Sequence, residues 1–186
     1  MMSRAGVLAA AALLGMASGA GGLWLYHHRA VSPERAAFAE AAWPLSKDQW
    51  GSGKFFHCAA SQCGVPVDLY VRAKIGFCKC DVGVDDDDEL NRVSDVPMFA
   101  PKPQAEGPGR VITVAWMKGR SRNFVLSETL LGGSKTALSI AFNDKCDVVV
   151  ATLVVSGGEA QLFETRALAF LNSDPVMEWA KIALGL

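Results

Sequence analysis

Leu138-Ser139-Ile140-Ala141-Phe142, then Asn143-Asp144-Lys145, then Cys146-Asp147-Val148-Val149-Val150-Ala151-Thr152-Leu153-Val154-Val155, is the most informative stretch of this chain. Leu138, Ile140 and Phe142 recur at every second position, the period of a strand with one apolar face. Asn143 to Lys145 are turn-forming residues. The run from Cys146 to Val155 is rich in valine, as a buried central strand is. Gly157-Gly158 ends it.

The same reading extends in both directions. Upstream, Arg110 to Met117 predicts a strand centred on Val111-Ile112-Thr113-Val114-Ala115-Trp116. Lys118-Gly119-Arg120-Ser121-Arg122 reads as a turn, with Asn123 to Ser127 returning as the hairpin partner. Val67, Leu69 and Val71 alternate with Asp68, Tyr70 and Arg72, a half-buried strand pattern, and Lys54 to Cys58 is a shorter candidate. Pro97 to Gly109, with four prolines and two glycines, predicts a surface loop. Downstream, Glu159 to Leu171 predicts a helix with Leu162, Phe163, Ala167 and Phe170 on one side. Asp174-Pro175 starts a last helix, striped by Val176, Trp179, Ala180 and Ala183 and ended by Gly185. Strands followed by helices imply an α+β fold. We expect an antiparallel sheet of about five or six strands with C-terminal helices packed on it, over residues 54–186.

The N-terminus has a different character. From Ala5 to Tyr26 there is no charged residue. Twenty-two residues of helix span about 33 Å, enough to cross a hydrocarbon core. Trp24 and Tyr26 stand at the far end, where aromatic rings favour headgroups, and Arg4 would hold the start in the cytoplasm. Residues 1–29 therefore read as a signal-anchor or transmembrane segment, with the remainder outside the cytoplasm (the periplasm, if the source is bacterial). Cleavage near Ala20, giving a secreted protein, is the alternative; the apolar residues that resume at Leu23 argue against it. Gly15 and Gly19 have the small-xxx-small spacing of packed membrane helices. Residues 30–53 then read as a stalk: Ser32-Pro33 starts a helix running to about Ala42, and a loop follows.

Five cysteines occur, at 58, 63, 78, 80 and 146. Outside the cytoplasm, clustered cysteines form disulfides. Cys78 and Cys80 point the same way on a strand and would strain a mutual bond. Each is expected to reach Cys58 or Cys63, leaving Cys146 free; a Cys58–Cys63 bridge is the alternative. A second alternative is a soft-metal site or thiol-redox centre built from His57, Cys58, Cys63, Cys78 and Cys80. The spacings C-x4-C and C-x-C are unlike zinc knuckles, and no C-x-x-C is present.

Asp81 to Glu89 holds six carboxylates in nine residues. It reads as a solvated acidic loop, with Asp81, Asp85, Asp87 and Glu89 as an alternative calcium set. Lys118, Arg120 and Arg122 would form a basic hairpin tip able to meet anionic lipid or an acidic partner.

The chain contains none of the common catalytic motifs. His57 is the one histidine away from the membrane edge, and its neighbour Cys58 would point to the opposite face of a strand. Gly132-Gly133-Ser134-Lys135-Thr136 lacks the first glycine of a phosphate loop. No cofactor is implied, and a net charge of −1 gives no signal for nucleic acid. The expected function is a non-enzymatic binding, assembly or accessory subunit of an envelope complex, held to the membrane by the N-terminal helix and contacting a protein partner.

Overall fold

The chain does turn between two flanking strands, but at Lys145-Cys146, since Asn143 and Asp144 still pair as strand residues, and the two strands lie in the interior of a seven-stranded sheet. The computed structural model describes residues 38–77, 79–127, 129 and 134–186. The expected membrane helix, with Gly15 and Gly19, lies outside them, as does Cys78. Among the described residues no helix is long and apolar enough to cross a membrane.

The elements run β1 (Ala39–Ala41), β2 (Lys54–Cys58), α1 (Ala60–Cys63), β3 (Val67–Lys74), α2 (Asp87–Val93), β4 (Gln104–Val114), β5 (Met117–Leu126), β6 (Lys135–Asp144), β7 (Asp147–Val155), α3 (Glu164–Leu171) and α4 (Asp174–Leu184). The order across the sheet is β1-β2-β3-β7-β6-β5-β4, antiparallel throughout. Two meanders are thus joined where β3 meets β7. The fold is α+β with C-terminal helices, as expected, but has seven strands among the described residues.

One extra strand, β1, and the lengthening of β4 have physical explanations. Residues 39–41 were expected to be helical. They pair instead with β2, whose outer edge would otherwise expose a row of unpaired backbone groups, and Glu40 meets Lys54 across the pair at 2.5 Å. Phe38 anchors this strand by packing on Phe170, with ring centroids 4.9 Å apart. Residues 39–41 therefore belong to the sheet and not to a stalk helix. At the opposite edge, residues 104–109 of the expected loop extend β4. A bulge between Glu106 and Arg110 accommodates this segment, and an edge strand tolerates Pro108.

Both sheet faces are covered. One packs Phe56, Leu69, Val71, Ile140, Phe142 and Leu153 against α3 and α4. The helices keep part of the expected stripe, with Ala167, Phe170, Val176 and Ala180 buried. The helix expected over residues 159–171 begins only at Glu164, after a 3-10 turn at Ala160–Phe163 that leaves Leu162 76% exposed. Gly185 caps α4 at φ 70°, as a left-handed C-cap requires. The other face is covered by the connection from β3 to β4, which brings Leu90, Val93, Val96 and Phe99 onto β3, β6 and β7. This explains why β7 is buried on both sides.

It also overturns the half-buried reading of β3. Arg72 and Lys74 are only 2% and 4% exposed. Asp95 takes Arg72 in a two-pronged pair, Nε to Oδ2 at 2.8 Å and Nη2 to Oδ1 at 2.6 Å. Lys74 Nζ lies 2.8 Å from Asp95 Oδ1 and donates to the Val93 carbonyl at 2.6 Å. Arg72 Nη1 reaches Asp48 at 2.8 Å. Two cations are thus buried against two carboxylates, the condition under which buried charge is tolerated.

Candidate functional site

The outer edge of β4 is largely exposed along its length, and β4 forms a hairpin with β5. Val114 pairs directly with Met117, so the turn is two residues long, Ala115-Trp116. Two-residue hairpin turns require positive φ, and Ala115 adopts φ 52°. Its N–H donates to Asn172 Oδ1 at 2.6 Å, and Lys181 Nζ stands 5.5 Å from the Trp116 ring centroid, so α4 and the end of α3 hold the tip. Trp116 remains 53% exposed and Val111 73%.

The expected basic turn at Lys118–Arg122 is therefore a strand, and the tip is apolar. Gly119 belongs inside the sheet because a Cβ there would overlap the Ala141 carbonyl of β6. Lys118 is exposed, whereas Arg120 and Arg122 turn toward α2. Arg120 donates from Nε and Nη2 to Asp87 Oδ1 at 2.9 and 2.6 Å, and from Nη1 to the Asp85 carbonyl at 3.1 Å. The basic strand is met by the acidic run of the same chain, so Arg120 and Arg122 do not form a free docking surface.

That acidic run is correspondingly not a loop alone. Asp86 caps α2, its Oδ1 accepting from the Glu89 N–H at 2.6 Å. The Gly109 N–H donates to Asp87 at 2.9 Å, and this bond, with Arg120 and Arg122, holds the Asp87 carboxyl below the usual carboxylate range. Arg92, bonded at 2.6 and 2.9 Å, does the same for buried Glu89. Asp81 and Asp85 are exposed, and the four residues of the calcium set do not converge. Among the described residues no three His, Cys, Asp or Glu side chains are placed to hold a metal ion.

These carboxyls predict the acid limb of stability. Their folded pKa values are depressed, so they stabilise the fold above the unfolded-chain values and lose that contribution as pH falls through the folded ones. Unfolding midpoints measured in denaturant should hold steady near neutrality and fall below about pH 4. Asp87→Asn should flatten that limb; an unchanged slope would show the cluster to be energetically silent.

The cysteines pair Cys58 with Cys63 and Cys80 with Cys146. The crossed arrangement through Cys78 and Cys80 is not what forms, and Cys146 is not free. Cys146 sits in the two-residue turn between β6 and β7, where the connection from β3 brings Cys80 beside it. Nothing local to either cysteine signals that encounter. His57 and Cys58 do lie on opposite faces. Cys58 is buried under the helices, while His57 Nδ1 meets Asp68 Oδ1 of β3 at 2.7 Å. Among the described residues, the sulfurs of Cys58, Cys63 and Cys80 and the imidazole therefore do not form one soft-metal site. Tyr70, one strand step away, is held un-ionised well above its ordinary value by burial and, second, by the Asp68 charge.

The polar pocket among Glu106, Asn123, Thr136, Glu159 and Gln161 measures about 310 Å³. That is the lower end of the roughly 300–1,000 Å³ typical of small-molecule sites. Asn123 Oδ1 is buried there without a hydrogen-bond partner among the described residues, but no histidine or cysteine lines the pocket. No protein-family model matches this sequence, and no curated protein compared with it matches.

Proposed function

We propose that this chain is a membrane-anchored, extracytoplasmic binding or accessory subunit of an envelope complex, non-enzymatic in this role, which receives an extended segment of a protein partner along the outer edge of β4. The observation that carries the reading is the contrast between the two halves of that strand. Gln104 to Gly109 is blunted by Pro108 and a bulge, devices that protect an edge from pairing. Arg110 to Val114 has neither. It is regular, β-branched and, among the described residues, unpaired on its outer side.

An open edge of this kind takes a partner strand through main-chain hydrogen bonds, and specificity comes from alternate side chains. Exposed Val111 and the Trp116 ring favour an apolar residue in that partner. Placement outside the cytoplasm draws support from the uncharged N-terminal stretch and from the two disulfides, which persist in oxidising compartments.

A photocrosslinker at position 111 of the full chain, in native membranes, tests the reading. One protein should be captured that also co-purifies stoichiometrically with the wild type. Val111→Lys should abolish co-purification. Because Val111 is 73% exposed, its stability should stay within about 0.5 kcal/mol. A chain that purifies alone, or only with copies of itself, contradicts the proposal.

A further inference from the structure

The two disulfides differ in what faces their sulfurs. Cys58 closes β2 and is fully buried, whereas Cys63 ends α1 and is only partly covered, beside exposed Ala60, Ser61 and Gln62. Arg166 of α3 brings Nη1 to 3.2 Å from Cys63 Sγ. Its guanidinium also lies over the Phe163 ring, 6.0 Å from the centroid. Among the described residues no carboxylate forms a salt bridge with Arg166, unlike Arg72, Arg92, Arg110, Arg120 and Arg122. A positive charge is therefore committed to a sulfur and not neutralised by an acid.

A neighbouring arginine favours the thiolate over the thiol. The thiolate is the attacking species in disulfide exchange, and the better-stabilised thiolate is the better leaving group. Only four residues, Ala59 to Gln62, lie between the two cysteines, so opening the bond releases a short loop after the end of β2.

We propose that Cys58–Cys63 is a thiol–disulfide exchange site, with Cys63 as the Arg166-stabilised thiolate and Cys58 as the buried resolving thiol. The co-reactants are an organic disulfide in one direction and thiols in the other. In the dithiol form, the Cys63 thiolate attacks one sulfur of the external disulfide. A Cys63–S–R bond forms, the external S–S bond breaks, and one thiolate leaves to take a proton from water. Cys58 gives its proton to solvent and attacks Cys63 Sγ. The Cys58–Cys63 bond forms, and the second external thiolate leaves and is protonated. Two electrons pass from the protein dithiol to the external disulfide. In reverse, an external thiolate attacks Cys63 Sγ and expels Cys58. A second then attacks the external sulfur of the mixed disulfide and expels the Cys63 thiolate beside Arg166. This goes beyond the binding role and does not depend on the β4 edge.

The test uses the full chain in detergent, reduced by dithiothreitol and desalted. Alkylation by iodoacetamide is followed against pH, cysteine by cysteine, by peptide mass spectrometry, and reoxidation by glutathione disulfide is timed. Cys63 should react as a thiolate below the ordinary thiol value of about 8.5. Arg166→Gln should slow its alkylation at pH 6 about tenfold, the effect of raising its thiol value by about one unit. Arg166→Lys should retain most of the rate, and the profiles of Cys80 and Cys146 should not move. A wild-type Cys63 with an ordinary pH profile overturns the proposal, even if the variants fail to fold. So does a Cys63 profile that Arg166→Gln leaves in place, or glutathione disulfide that fails to regenerate the Cys58–Cys63 bond.

Discussion

Asp95→Ala is expected to destabilise the domain by about 3–5 kcal/mol, the usual cost of breaking a buried ion pair from one side. Both oxygens of Asp95 are engaged, with Arg72 at 2.6 and 2.8 Å and with Lys74 at 2.8 Å. Removing them leaves two cations in a site where Arg72 is 2% exposed. The loss should appear as a fall in Tm on the order of 10 °C. Asp48 offers the contrasting case. It binds the same guanidinium at 2.8 Å, but its side chain is 39% exposed, and solvent screening reduces such a contact to about 1 kcal/mol or less. The ranking is the real test: a variant series in which Asp48→Ala costs as much as Asp95→Ala would mean that the network is not the buried clamp described above.

Removing the Cys80–Cys146 bond by a double alanine substitution is expected to cost about 4 kcal/mol, against about 2 for the Cys58–Cys63 pair, since the entropy of closing a loop grows with its length. The sequence separations are 66 and 5 residues. The long bond ties the start of the connection that covers one sheet face to the turn between β6 and β7. Its loss frees that connection in the unfolded chain and loosens the covered face in the folded one. Guanidinium unfolding of the two double variants would show the difference. Equal losses would mean that loop length does not govern either bond.

Readability from the sequence followed the range of the interactions. The β6–β7 hairpin, strand β3 and the helices at 164–171 and 174–184 have local causes: alternation, a valine run, a proline at a helix start, a glycine at its end. What stayed hidden depended on partners far along the chain. Arg72 on an alternating strand looks solvent-facing until Asp95, 23 residues on, closes over it. Lys118-Gly119-Arg120-Ser121-Arg122 looks like a turn because the partner of Arg120 and Arg122, Asp87, lies more than thirty residues earlier. The true turn carries no glycine, asparagine or aspartate, since Ala115 takes the positive φ with Asn172 bonded to its N–H. Cys80 and Cys146 meet only because β3 lies beside β7. The Arg166–Cys63 contact spans 103 residues, and no spacing within the cysteine cluster announces it.

The proposed placement outside the cytoplasm requires these thiols to be oxidised in this pairing. The direct measurement is disulfide mapping by mass spectrometry on the chain taken from native membranes under acid quench and alkylation. Linked peptides should join Cys58 to Cys63 and Cys80 to Cys146, with Cys78 as the odd cysteine. Fully alkylated Cys80 and Cys146, or a bridge from Cys80 to Cys58 or Cys63, would contradict this pairing.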